Sequence, residues 1–155
     1  MDYFRNVDEP TVIVFFGDHR PGLGLSAGGS VYSELGMANP TTWMWSLEEC
    51  AQLYATEYLI WANDEDYLPA APGSTMDTSC NYLGVQLLDL AGIEKPTFWR
   101  TLAALSQTRS IDTAVYHRGT DGSLSYDTPT TGQDGMLFQL LKELITEAVY
   151  GTGSK

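Results

Sequence analysis

Hydrophobic positions fall into two patterns along this chain: short unbroken apolar runs and longer stretches with helical spacing. Residues 11–16, TVIVFF, lie between Asp8-Glu9-Pro10 and Gly17 and are almost all β-branched or aromatic. An unbroken run of this kind predicts a strand covered on both faces, as in α/β architecture. Residues 57–63, EYLIWAN, predict a second apolar strand ending near Ala62. Between them, RPGLGLSAGGS (20–30) holds four glycines and a proline and reads as a long loop at the first strand's carboxyl end, where ligands are often held. SVYSELGM predicts a short helical turn. Ser46 and Glu49 have capping-box spacing and open a helix running to about Tyr54, with Trp43 and Trp45 placed as hydrophobic staples.

The second half is more helical. TSCNYLGVQLLDLAGI spaces Leu83, Val85, Leu87, Leu88 and Leu90 as a mostly buried helix stopped at Gly92. Pro96 then opens an antiparallel partner that carries Phe98, Leu102 and Leu105 on one face. SIDTAVYHR reads as a strand, GTDGS as a turn and LSYDT as the returning strand of a small antiparallel sheet. Met136, Leu137, Leu140, Leu141, Leu144 and Ile145 define a closing helix that stops at Gly151. The fold class is α/β.

With 155 residues, one domain spanning 1–155 is expected. Twenty acidic residues against eight basic ones give a net charge of −12, which disfavours nucleic acid and anionic membranes and suits cations. The run Asp64-Glu65-Asp66 reads as a solvated loop. Cys50 and Cys80 are too few for a disulfide framework and read as small buried thiols. No apolar run approaches a membrane span, and the first ten residues lack signal-peptide order.

Candidate chemistry centres on Asp18 and His19, an oxygen and a nitrogen donor at the end of the first strand. Such a pair suits zinc, manganese or iron, but an aspartate holding a histidine for structural reasons satisfies the same pattern. His117, beside Arg118, reads as a surface histidine on a hairpin. No nucleophile elbow, Walker loop or Cys-His signature is present, and GLGLSAGG has the wrong spacing for a phosphate-binding loop.

Three blocks, VIVFFGDHRPGLG, LYATEYLIWAN and TSCNYLGVQLLDLAGIEKPTFWRTLAAL, together resemble the carboxyl-terminal portion of the lipoteichoic acid synthase-like branch of the sulfatase and alkaline phosphatase superfamily. The resemblance extends from about Tyr3 to Gly151. It implies a partial alkaline phosphatase-like fold: strands of a larger sheet with flanking helices, then a small antiparallel sheet and a terminal helix. Residues 1–155 would be the C-terminal fragment of a sulfatase-like catalytic domain. The resemblance makes Asp18 and His19 ligands of a catalytic divalent cation, usually manganese, with magnesium, zinc and calcium as alternatives, held only together with further ligands that family members carry upstream of this motif.

Family members attack phosphate or sulfate esters, phospholipids among them, with a threonine, serine or modified cysteine well upstream of the Gly-Asp-His motif. They act at the extracytoplasmic face of the cell membrane. Thr11 is too close to Asp18 to be that nucleophile, so the resemblance implies a phosphoglycerol transferase or sulfatase-like hydrolase that is inactive as this chain alone. A non-catalytic binding or interaction domain retaining the fold is the alternative. An unpaired edge on the first strand would lead to a homo-oligomer.

Overall fold

In the computed structural model, residues 2–25, 29–41, 44–68, 73 and 75–151 are described. Strands β1 (Val12–Phe16) and β2 (Tyr58–Ala62) pair antiparallel, with Val12 opposite Ala62 and Phe16 opposite Tyr58. Both ends of this ribbon are tied by side chains. At one end the Thr11 N–H donates to Asn63 Oδ1 at 2.8 Å, and the Asn63 amide donates to the carbonyls of Val7 and Glu9. At the other, the Thr56 hydroxyl donates to the Gly17 carbonyl at 2.7 Å.

β1 is not covered on both faces. Phe15 is 72 % exposed and its cross-strand partner Leu59 51 %. The cause is the pairing: among the described residues this sheet has two strands, and no helix layer closes over the Phe15–Leu59 side. The apolar run thus reports β-propensity without the double burial that usually accompanies it.

Five α-helices follow the sequence pattern: α1 (Val31–Glu34), α2 (Leu47–Leu53), α3 (Cys80–Leu90), α4 (Thr97–Ser106) and α5 (Gly132–Tyr150). The α2 capping box forms as expected, with Glu49 N–H donating to Ser46 Oγ and Ser46 N–H to Glu49 Oε2. Glu49 also accepts from the Asn39 N–H, so the cap anchors the preceding loop as well. Trp45 packs against the cluster of Cys50, Ile111 and Tyr116 and donates its indole N–H to the Asn39 carbonyl. Trp43 lies outside the described residues.

The main core is built where α3, α4 and α5 meet, from Tyr82, Val85, Leu102, Leu105 and Leu141, with Phe98, Trp99 and Phe138 packed against it. Gly92, at φ +63°, turns the chain out of α3.

The segment expected to be one strand, 110–118, is itself a hairpin. β3 (Arg109–Asp112) and β4 (His117–Gly119) pair antiparallel, and β5 (Leu124–Ser125) joins the far side of β4. Thr113 makes the extra turn, because its hydroxyl oxygen accepts the N–H groups of Val115 and Tyr116 while the hydroxyl donates to the Tyr116 carbonyl. The chain is therefore a mixed α/β protein with five α-helices and two small antiparallel sheets among its described residues. No described helix is long and apolar enough to cross a membrane.

Candidate metal centre

Asp18 and His19 follow directly on β1 and Gly17, with side chains 81 % and 75 % exposed. Their free ends converge, Asp18 Oδ2 standing 3.4 Å from His19 Nε2. The remaining polar atom of each side chain is held by backbone. Asp18 Oδ1 accepts the His19 N–H at 2.9 Å, which leaves Oδ2 available. His19 Nδ1 lies 2.9 Å from the Arg20 carbonyl. A carbonyl can only accept, so Nδ1 donates to it, and Nε2 is the ring nitrogen turned toward Asp18.

This donor set fits a divalent cation. At 3.4 Å apart, Oδ2 and Nε2 are close enough to reach one cation, and the same spacing serves a direct Asp–His pair. A backbone carbonyl on the non-ligating nitrogen is also the usual outer support of a metal-bound histidine. Among the described residues, no group of three or more His, Cys, Asp or Glu side chains is placed to hold a metal. Asp18 and His19 alone would supply two positions.

Asp18 stands on the rim of a cleft of about 880 Å³ between the β1–β2 ribbon, the start of α3 and the β3–β4 hairpin. Tyr58 spans part of it, donating its hydroxyl to the Met76 carbonyl at 2.8 Å. Arg118 faces the cleft from β4 and pairs with Asp77 at 2.9 Å. Asp64 precedes a 3-10 turn (Glu65–Tyr67) and Asp66 lies within it, both exposed.

His117 is not the surface residue its hairpin context implied. It is 7 % exposed, with Nδ1 2.6 Å from Asp112 Oδ1 and its ring edge-on to Phe138. Arg109 sits over the same phenyl ring and lies 3.7 Å from Asp112 and 3.5 Å from Asp134 on α5. Tyr82, on α3, faces this group; its pKa is driven up by burial first and by the Asp112 carboxylate second, with Arg109 opposing. This buried charge cluster escapes sequence reading because its members lie on α3, β3, β4 and α5. The one local signal is an Asp and a His five residues apart, which face each other only if Thr113 starts a turn.

Both cysteines are free. Cys50 is buried in α2 as expected, whereas Cys80 is exposed because it is the first residue of α3 and lies off the core face.

Compared with models of protein families, with curated proteins and with solved structures, the chain gives no match.

Proposed function

We propose that Asp18 and His19 form half of a divalent-cation centre, preferentially manganese, in a phosphoglycerol transferase or sulfatase-like hydrolase of phosphate or sulfate esters. The observation that carries this reading is the convergence of Asp18 Oδ2 and His19 Nε2 at 3.4 Å with the other atom of each group tied to backbone. A bound cation would lower the pKa of a nucleophile and offset charge on the transferring group. The chain's own residues would contribute two ligands, an oriented imidazole and an acidic surface that concentrates cations. Two ligands are not a catalytic machine, so the isolated chain is expected to be inactive.

Manganese titration tests the reading. Paramagnetic broadening should reach the His19 ring signals before those of His117, and Asp18→Ala should abolish it. No broadening at millimolar Mn2+ would overturn the assignment. Hydrolysis of p-nitrophenyl phosphate or sulfate by the purified chain, lost in Asp18→Ala, would overturn the expected inactivity.

A second reading, a binding domain without catalysis, is favoured by the cleft. Its volume of about 880 Å³ lies within the range of small-molecule sites.

A further inference from the structure

Residues 55–57, between α2 and β2, grip the chain on both sides of the Asp18-His19 pair. The Thr56 hydroxyl donates to the Gly17 carbonyl at 2.7 Å, and Gly17 N–H donates to the Glu57 carbonyl at 3.1 Å. Two residues beyond the pair, Arg20 Nε donates to the Ala55 carbonyl at 2.9 Å. The Glu57 bond continues the β1–β2 ladder by one step and would form in any ribbon of this register. The Thr56 and Arg20 bonds go beyond it, because each uses a side chain and together they bracket Asp18 and His19.

The fit at Gly17 is close. A β-carbon there would lie 3.1 Å from Thr56 Cβ, tighter than ordinary van der Waals contact. The Thr56 and Glu57 bonds fix the backbone at Gly17, which leads into Asp18, and the Arg20 side chain tethers the chain just beyond His19 to residue 55. The segment that carries the Asp18 Oδ1–His19 N–H and His19 Nδ1–Arg20 carbonyl contacts is therefore held at both ends. Without that restraint, two side chains more than 70 % exposed would sample separate rotamers, at an entropic cost to be met on each binding event.

We infer that Thr56 and Arg20 are positioning residues that hold Asp18 and His19 in the arrangement able to ligate a divalent cation. The inference rests on the metal reading above and extends it to two residues that would not touch the ion. Gly17 completes the clasp by leaving room for Thr56.

The test uses the full 155-residue chain with MnCl2 as probe, and two signals. Manganese affinity is followed by broadening at His19, and the His19 tautomer is read from its ring nitrogen shifts without metal. Thr56→Val, which keeps the shape and removes the hydroxyl, should weaken Mn2+ binding about tenfold, in line with losses of outer-shell partners. It should also reduce the Nδ1–H tautomer, and Thr56→Ser should restore both. Arg20→Met, at an exposed position, should act in the same direction with circular dichroism unchanged, which guards against a folding defect in Thr56→Val. Unchanged affinity and tautomer in both Thr56→Val and Arg20→Met would overturn the clasp. Failure of the unsubstituted chain to bind Mn2+ would overturn the metal reading instead, and the metal-free tautomer signal keeps the two failures apart.

Discussion

Asp112 and His117 are register partners across the β3–β4 hairpin, and their side chains meet at 2.6 Å, largely shielded from solvent. The contact is not aligned as a hydrogen bond, and the cationic partner of Asp112 is the Arg109 guanidinium, 3.7 Å away. Arg109 bridges from Asp112 toward Asp134, whose other oxygen accepts the Thr108 hydroxyl at 2.8 Å. The cluster thus fastens the hairpin to the first turn of α5. Removing one member of a buried pair leaves the rest uncompensated, which costs about 3 kcal/mol. Asp112→Asn is therefore expected to lower the urea midpoint strongly. Asp77→Ala, which breaks the exposed pair with Arg118, should cost less than about 1 kcal/mol. Equal effects would mean that the cluster is as solvated as the surface pair.

Alkaline pH should weaken the fold through Tyr82. Its hydroxyl is buried without a hydrogen-bond partner among the described residues, and burial followed by the Asp112 carboxylate raises its pKa above the usual phenol value. In the unfolded chain the phenol ionises near pH 10. The folded state therefore holds the proton more tightly, and the stabilisation is fully present below pH 10. It declines as pH rises above 10 toward the folded value. Urea unfolding between pH 8 and 11 should show this decline, and Tyr82→Phe should reduce it. Because the hydroxyl makes no bond, the substitution should cost little at pH 8. An alkaline decline as steep in Tyr82→Phe as in the unsubstituted chain would remove Tyr82 as its source.

The two thiols should react at different rates. Cys50 is buried, and burial followed by the neighbouring Glu49 carboxylate raises its pKa, which depletes the reactive thiolate. Cys80 is exposed. A chromogenic disulfide reagent at pH 8 should therefore titrate one thiol quickly and the second only as the chain opens. Cys80→Ser should remove the fast phase and Cys50→Ser the slow one. A fast phase that survives Cys80→Ser would place Cys50 in reach of solvent.

Helices and caps were legible because their determinants are local. The Ser46 and Glu49 side chains bond within a single turn, and Gly92 sits where the chain must adopt a positive φ. The proximity of Asp18 and His19 was legible because the two are neighbours directly after an apolar run, whereas what holds them in place was not. What the sequence concealed depends on partners far along the chain. Val12, Val14 and Phe16 look like an interior strand until β2 proves to be the one strand beside them among the described residues. His117 looks exposed until Phe138 and Arg109 close over it. Thr56 carries no sequence signal of a role at the pair, because its target is a carbonyl 39 positions away.

Gly84 shows how such a distant partner can justify a locally unfavourable residue. A glycine inside a helix costs about 1 kcal/mol relative to alanine, so Gly84→Ala in the middle of α3 ought to stabilise the protein on propensity alone. Trp99 of α4 prevents this, because its Cζ3 and Cη2 atoms occupy the space where the new β-carbon would stand. Trp99 is itself braced edge-on by Phe98 at 5.3 Å between ring centroids, and both pack on the main core. The indole cannot shift without disturbing that packing. Overpacking of a core contact costs about 1–3 kcal/mol, and the interpenetration here is deep enough to put the cost toward the upper end. Gly84→Ala is therefore expected to destabilise by about 1–2 kcal/mol net, read as a lower midpoint in urea. In a Trp99→Leu background the obstacle is gone, and the same substitution should raise stability by up to about 1 kcal/mol. A loss of the same size in both backgrounds would mean that the clash with Trp99 does not set the requirement for glycine.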